Sequence, residues 1–299
     1  MSDTDFRCGF VAVIGRPNVG KSTLINALVG VKVSIVTAKP QTTRHRILGI
    51  ASDPKGQVIF VDTPGLHRAG GKAMNRLMNR TAISALADAD AILFVVEAGR
   101  WTGEDDDVLA RLSGRKVPVI AVLNKLDMLQ PTERVLEALA DLSARFEFAE
   151  LVPVSATRGT NLDRLLPLVV RYLPPSPPLF PEQMKSDRSP EFHAAEVIRE
   201  KLMTMLHKEL PYGLSVQLER YEKSDGGLNV DAVIWVERES QKGIVVGKGG
   251  RQLKQAGRAA RLELRESLGV PVHLTLWVRV RDNWADNEAD LRKFGYEPT

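Results

Sequence analysis

The sequence predicts two domains of different class: an α/β domain on a six-stranded, mostly parallel sheet with flanking helices, then a smaller α+β domain. Three observations carry this. From residue 10 to about residue 173, short apolar runs alternate with amphipathic stretches, the rhythm of strands and crossover helices. The run Leu173-Pro174-Pro175-Ser176-Pro177-Pro178 reads as a stiff extended linker. Beyond it the order becomes helix, strand, strand, helix, helix, strand. The expected division is therefore 1–173, a linker at 174–190, and 191–299, and 299 residues suffice for two cores.

Taken in order, residues 10–14 read as a short buried strand and residues 22–28 as a helix. Between them Gly15-Arg16-Pro17-Asn18-Val19-Gly20-Lys21-Ser22 fits G-x-x-x-x-G-K-[ST]. At a strand-to-helix turn this pattern is a phosphate cradle that runs on into Thr23. Glycines let backbone N–H groups close on phosphate oxygens, and the positive helix end adds to the field. Lys21 is placed to reach the β and γ phosphates and the Ser22 hydroxyl to hold Mg²⁺.

The next clear strands are 58–61, 91–96, 117–123 and 151–154, with helices near 74–86, 108–112, 133–144 and 162–172. Ligands of such sheets sit beyond the carboxyl ends of the strands. After the third strand stands Asp62-Thr63-Pro64-Gly65, a carboxylate for Mg²⁺ and a glycine N–H for a γ-phosphate. After the fifth stands Asn124-Lys125-Leu126-Asp127. Guanine offers N1–H and an exocyclic amine to a carboxylate and adenine offers neither, so Asp127 selects GTP over ATP. Ser155-Ala156, after the sixth strand, closes over the base from the other side.

These motifs, in this order, resemble a Ras-type GTPase domain of the bacterial translation-factor class over residues 10–173. The resemblance implies hydrolysis of GTP to GDP and phosphate, with Lys21, Thr43 and Gly65 in catalytic roles. Its switch I would contain Gln41-Thr42-Thr43-Arg44-His45. One of the two threonines completes the Mg²⁺ shell with Ser22 and Asp62, Thr43 being preferred to Thr42. Leu66 departs from Ras, where the residue after Asp-x-x-Gly is the glutamine that orients water. Leucine cannot do this, so the resemblance is to GTPases in which hydrolysis is slow or water is positioned by other means, and His67 is the neighbouring polar candidate. Some relatives with asparagine at the place of Asn18 hold K⁺ against the phosphates, which makes K⁺ a second candidate cofactor.

In the second domain, residues 191–206 read as a helix, and 215–221, 229–237 and 272–281 as strands. Gly247-Lys248-Gly249-Gly250 separates two helices and resembles the GXXG loop of a KH domain, where bare backbone lets single-stranded nucleic acid approach. In the following helix Arg251, Lys254, Arg258, Arg261 and Arg265 recur at steps of three and four, while Leu253, Ala256, Ala260, Leu264 and Leu268 form another face. From 242 to 265 seven bases meet one acid, Glu263, a balance of +6. The RNA-binding residues expected are Gly247, Lys248, Gly249, Gly250, Arg251, Lys254 and Arg258.

A Ras-like domain joined by a short linker to one carboxy-terminal KH domain of type II order is similar to the Era family of bacterial GTPases, over nearly the whole chain. Pro211-Tyr212 and Trp284-Ala285-Asp286 carry the likeness too. It implies 16S rRNA near its 3′ end as the RNA, assistance to 30S subunit assembly, a monomer, and weak association with the inner face of the cell membrane. The alternative is a membrane-associated regulatory GTPase whose basic helix reads anionic lipid.

Composition is consistent with this picture. The net charge of +4 says little, so the placement of charge must decide. A single cysteine, Cys8, excludes a disulfide framework and a cysteine-rich zinc site. No apolar run approaches a membrane span, and the acidic start lacks an apolar core. The expected compartment is the cytoplasm.

Overall fold

In the computed structural model, residues 6–65, 72–130, 134–206 and 210–296 are described. The first sheet follows from apolar runs that are buried on both faces. Its strands are β1 (Arg7–Ile14), β2 (Ile47–Asp53), β3 (Gly56–Asp62), β4 (Ala91–Glu97), β5 (Val119–Asn124) and β6 (Glu150–Pro153), interleaved with α1 (Lys21–Val29), α2 (Ala73–Ser84), α3 (Gly103–Ala110), α4 (Arg134–Ser143) and α5 (Leu162–Arg171). The strand order is β2-β3-β1-β4-β5-β6. Only β2 pairs antiparallel, with β3. One core lies between the sheet and α1 and α5, around Leu24, Ile25, Leu165 and Val169. A second lies on the opposite face, where Ala82, Val108 and Leu142 come from α2, α3 and α4.

Helix α3 begins five residues before the predicted 108. A capping box of Thr102 with Asp105 starts it, and the acidic run from 104 to 107 carries no apolar period to read.

The second unit holds α6 (Pro190–Met205), β7 (Leu214–Ser224), β8 (Gly227–Val236), α7 (Glu239–Val246), α8 (Arg251–Leu268), β9 (Val272–Val280) and α9 (Glu288–Lys293). Ser189 accepts from Phe192 N–H and Pro190 takes the first turn, which fixes the start of α6. The strands run β7-β8-β9, β7 antiparallel and β9 parallel to β8. Ala256, Ala260 and Leu264 of α8 and Val197, Ile198 and Leu202 of α6 pack on one face of this sheet, which leaves the basic row of α8 outside.

The proline-rich stretch is extended but is not a free spacer. Cys8 N–H donates to the Pro174 carbonyl and Ile50 N–H to that of Lys185, while Gln57 bonds the backbone of Leu179 and Phe180. It runs pinned along the first sheet. Where the two units meet, Ala73, Met74 and Met78 of α2 pack with Trp284, Ala285, Leu291 and Tyr296. The tail motif around Trp284 is therefore a seam.

Candidate nucleotide site and nucleic-acid interface

The phosphate cradle lies at the carboxyl end of β1. Gly15 and Gly20 are required by space: a Cβ on Gly15 would sit 2.3 Å from the Val95 carbonyl oxygen, and one on Gly20 2.4 Å from the Asn124 amide nitrogen. Lys21 is buried and donates to the carbonyls of Gly15 at 2.9 Å and Arg16 at 3.0 Å. Burial lowers its pKa to about 8, against the attraction of Asp62. Phosphate oxygens favour the ammonium form. Nucleotide affinity is therefore expected to fall as pH rises through about 8, with a proton taken up on binding above that point. Calorimetry in two buffers of different ionisation enthalpy checks this; equal heats above that pH would contradict it.

Ser22 Oγ donates to Asp62 Oδ2 at 2.8 Å and lies 3.0 Å from Thr43 Oγ1, which is 3.4 Å from the same carboxylate oxygen. Asp62 is fully buried, and its Oδ1 has no hydrogen-bond partner among the described residues. Burial raises its pKa against hydrogen bonds such as that from Ser22 and against the charge of Lys21. Two hydroxyls and an under-neutralised carboxylate suit a hard divalent cation, so the residues fit Mg²⁺. Thr42 stands apart, its hydroxyl bonded to the Lys39 carbonyl at 2.7 Å and to Thr37. Pro17, Asn18, Thr23, Thr43, Thr63 and Gly65 share a cavity of about 350 Å³ with Lys21 and Ser22. Gly65 lies against Pro17, and Val19 is wholly buried. Pro64 is also buried, beside Thr63. Leu66 and His67 lie outside the described residues.

On the base side, Asn124 donates from Nδ2 to the Val19 carbonyl at 2.9 Å and accepts from Ala156 N–H at 3.1 Å. It thus joins the cradle to the loop after β6. Asp127 is exposed and accepts from Ser155 Oγ and from Thr157 Oγ1. These hydrogen bonds, that of Ser155 first, hold its carboxyl below the usual range. Ionised, it is an acceptor only, as guanine requires. Asp127→Asn is expected to shift preference toward xanthine nucleotides, whose O2 needs a donor. Unchanged GTP affinity in that variant would remove the base-reading role.

Sequence reasoning gave Arg16 a place in the cradle but missed its side chain. The guanidinium turns away from the cavity and pairs with Asp105 at 3.0 Å and Glu97 at 2.8 Å. Glu97 also meets Lys125 at 3.2 Å. Burial alone would raise the Glu97 pKa, yet Arg16 and Lys125 bring it below the usual value. Only the backbone of Arg16 is left to meet phosphate. An invariant spacing could not have revealed this, because the partners come from β4 and α3.

The second interface surrounds residues 247–250. Gly247 has φ 72°, and a Cβ there would lie 2.9 Å from Gln252. Lys248 and Gly249 are exposed, and so are Arg251, Lys254, Arg258, Arg261 and Arg265. No ion pair involves that row among the described residues. Between α8 and β9 runs a groove of about 480 Å³, with Leu253, Leu274 and Leu276 inside and Gly250, Lys254 and Arg258 along it. Glu263, the one acid counted against the row, is turned to Lys32 and Lys201, so the row stays positive.

Residues 10–125 match the family described as 50S ribosome-binding GTPase, and residues 209–285 match the KH domain. The GTPase Era of Stenotrophomonas maltophilia is 51% identical over 294 residues, 98% of this chain and 99% of the relative. That of Xanthomonas axonopodis pv. citri is 52% identical over 291 residues, 97% of each. A solved structure of Era in complex with MgGDPNP and nucleotides 1506–1542 of 16S ribosomal RNA has a TM-score of 0.93 at 39% identity, covering 97% of this chain and 99% of that one. A single-residue variant of Aquifex aeolicus Era bound to GDP·AlF4⁻ gives the same values. With two domains, a complete set of guanine-nucleotide motifs and relatives matched end to end, the chain belongs to the Era family of GTPases.

Proposed function

We propose that this GTPase is a nucleotide-controlled clamp on RNA that binds 16S rRNA near its 3′ end and assists 30S subunit assembly. The division proposed is a nucleotide domain at 1–173, the pinned stretch at 174–190 and an RNA domain at 191–299. The observation that carries the reading is the segment of residues 36–45. It brings Thr43 to Ser22 and Asp62, and its neighbours Arg44 and His45 engage the second domain. Arg44 donates to the carbonyls of Leu214 and Tyr212, and His45 stacks on Tyr296 at 4.6 Å. An event at the γ-phosphate that moves this segment also moves its grip on the RNA domain.

In the cradle, Lys21 offsets phosphate charge, while Gly65 offers its N–H to the γ-phosphate. Ser22, Thr43 and Asp62 would hold Mg²⁺, which neutralises charge on the β and γ phosphates when bound. Asn124, Asp127, Ser155 and Ala156 hold and select guanine. Asn18 Nδ2 donates to the Ala38 carbonyl at 2.9 Å, which leaves the amide oxygen Oδ1 as the neutral atom that would meet K⁺ beside the cradle. Exchange of K⁺ for Na⁺ is expected to slow hydrolysis; equal rates in the two salts discard this site.

RNA is favoured over lipid because the basic row borders a groove with an apolar interior and a bare glycine loop. These features admit a single strand and its bases, whereas a lipid surface needs only the exposed row. Among the described residues no helix is long and apolar enough to cross a membrane. The proposed setting is the cytoplasm, with the protein a monomer. Arg258→Ala is expected to weaken RNA binding modestly and lower the log–log salt slope by about 0.7, one single-strand phosphate contact. Crosslinking in cells followed by sequencing of the bound RNA tests the whole reading. Enrichment of the 3′ end of 16S rRNA supports it, and a bound pool without that region overturns it.

A further inference from the structure

The segment of residues 36–45 belongs to the nucleotide domain, yet α6 of the other domain holds it by its main chain. Val36 N–H donates to Glu200 Oε1 at 2.8 Å, and the Thr42 carbonyl accepts from Arg199 Nη2 at 2.5 Å. Between them, Lys39 donates to the carbonyls of Met203 and Leu206, the carboxyl end of α6, where the helix dipole favours a cation. Arg199 and Glu200 are thus adjacent residues that fasten the two ends of one loop.

Arg199 is only 1% exposed. Its guanidinium is gripped by Glu196, with Nε to Oε1 at 2.7 Å and Nη2 to Oε2 at 2.6 Å. A guanidinium so clamped has one direction left for its Nη2 hydrogen, the Thr42 carbonyl. Buried ion pairs are poor sources of stability compared with apolar residues of like volume, but they fix geometry. The geometry fixed here is that of Thr43, the next residue, whose hydroxyl stands 3.0 Å from Ser22 Oγ and 3.4 Å from Asp62 Oδ2. The same helix is tied further outward. Glu200 meets Lys32 at 2.6 Å and Lys201 at 2.9 Å, and both lysines pair with Glu263 of α8, the helix that carries the basic row.

We infer that Arg199 is a positioning residue for GTP hydrolysis, acting from the second domain by holding Thr43 beside Ser22 and Asp62. The inference rests on the proposed role of Thr43 at the Mg²⁺ site and stands whichever RNA the second domain reads. Thr43 serves only the γ-phosphate state, in which such loops are ordered, so Arg199 discriminates between nucleotides that the rest of the cradle binds alike.

The test uses the full chain with two variants. Arg199→Lys keeps the charge opposite Glu196, but an ammonium lacks the planar fork needed to satisfy Glu196 and Thr42 together. Glu196→Leu/Arg199→Met removes donor and counter-charge at once. For each, kcat, the Mg²⁺ concentration at half-maximal rate, and affinities for GDP and a non-hydrolysable GTP analogue are measured, with melting as the control for folding. Both variants are expected to lower kcat by on the order of tenfold to a hundredfold, to raise the Mg²⁺ midpoint and to weaken the analogue while GDP affinity stays at the wild-type value. Wild-type kcat and Mg²⁺ midpoint in either folded variant overturn the assignment. Equal loss of GDP and analogue affinity overturns it too, because it marks a general structural defect. Failure of both variants to fold makes Arg199 a folding residue and likewise overturns it.

Discussion

Lys21→Ala is expected to abolish measurable hydrolysis, a fall on the order of a hundred- to a thousandfold or more, and to weaken GTP and GDP alike. The reason is local. Lys21 is the buried cation of the cradle, held over the loop by the Gly15 and Arg16 carbonyls, and the other lysines of the cavity are engaged elsewhere, Lys125 with Glu97 and Lys39 with the carbonyls of Met203 and Leu206. Arg16 is committed to Glu97 and Asp105. The fold should survive, since burial disfavours the charged lysine in the first place. Single-turnover hydrolysis beside a melting curve checks both halves. A folded variant with wild-type turnover would show that phosphate charge is offset elsewhere.

The second large effect belongs to the RNA domain. Replacing Lys248 and Gly249 by aspartates moves the local charge three units toward negative. It also puts side chains where bare backbone must approach phosphates. RNA affinity is expected to fall strongly at moderate salt, by on the order of a hundredfold, through lost counterion release and steric exclusion. Gly249 has φ 63°, so the aspartate adds backbone strain to the charge. GTP affinity should not change, because the phosphate cradle is in the other domain. Wild-type RNA affinity in this variant would assign the basic helix to lipid, protein or solvent.

Much of this was legible in the sequence because its carriers are local. The cradle, Asp62 to Gly65 and Asn124 to Asp127 each fall directly after a buried strand, and the buried faces of the strands are written in apolar runs. The five bases of α8 and its packing face were readable from a single helical period. What was not legible depends on residues far apart in the chain. The direction of the Arg16 side chain depends on Glu97 and Asp105, which β4 and α3 bring to it. That Thr43 and not Thr42 lies beside Ser22 and Asp62 depends on the path of the loop backbone. Neither the docking of residues 36–45 on α6 nor the burial of Trp284 against α2 has a sequence period, since each joins segments more than 150 residues apart.

His45 marks the seam chemically. It is half-buried and stacked on Tyr296, and desolvation pushes its pKa down to about 4. Because the folded state disfavours the imidazolium, this contact is fully stabilising above the unfolded histidine value of about 6.5. It is lost as pH falls toward 4.

The central claim is that the nucleotide and RNA sites share one equilibrium. Its most direct measurement is the affinity of an RNA fragment from the 3′ end of 16S rRNA with the protein loaded with GDP and with a non-hydrolysable GTP analogue. The affinity ratio of the two nucleotides is then measured with and without that RNA. The account predicts that the two loaded states differ in RNA affinity by about five- to a hundredfold, and that RNA changes the nucleotide ratio by the same factor. Equal RNA affinity in both loaded states would contradict it.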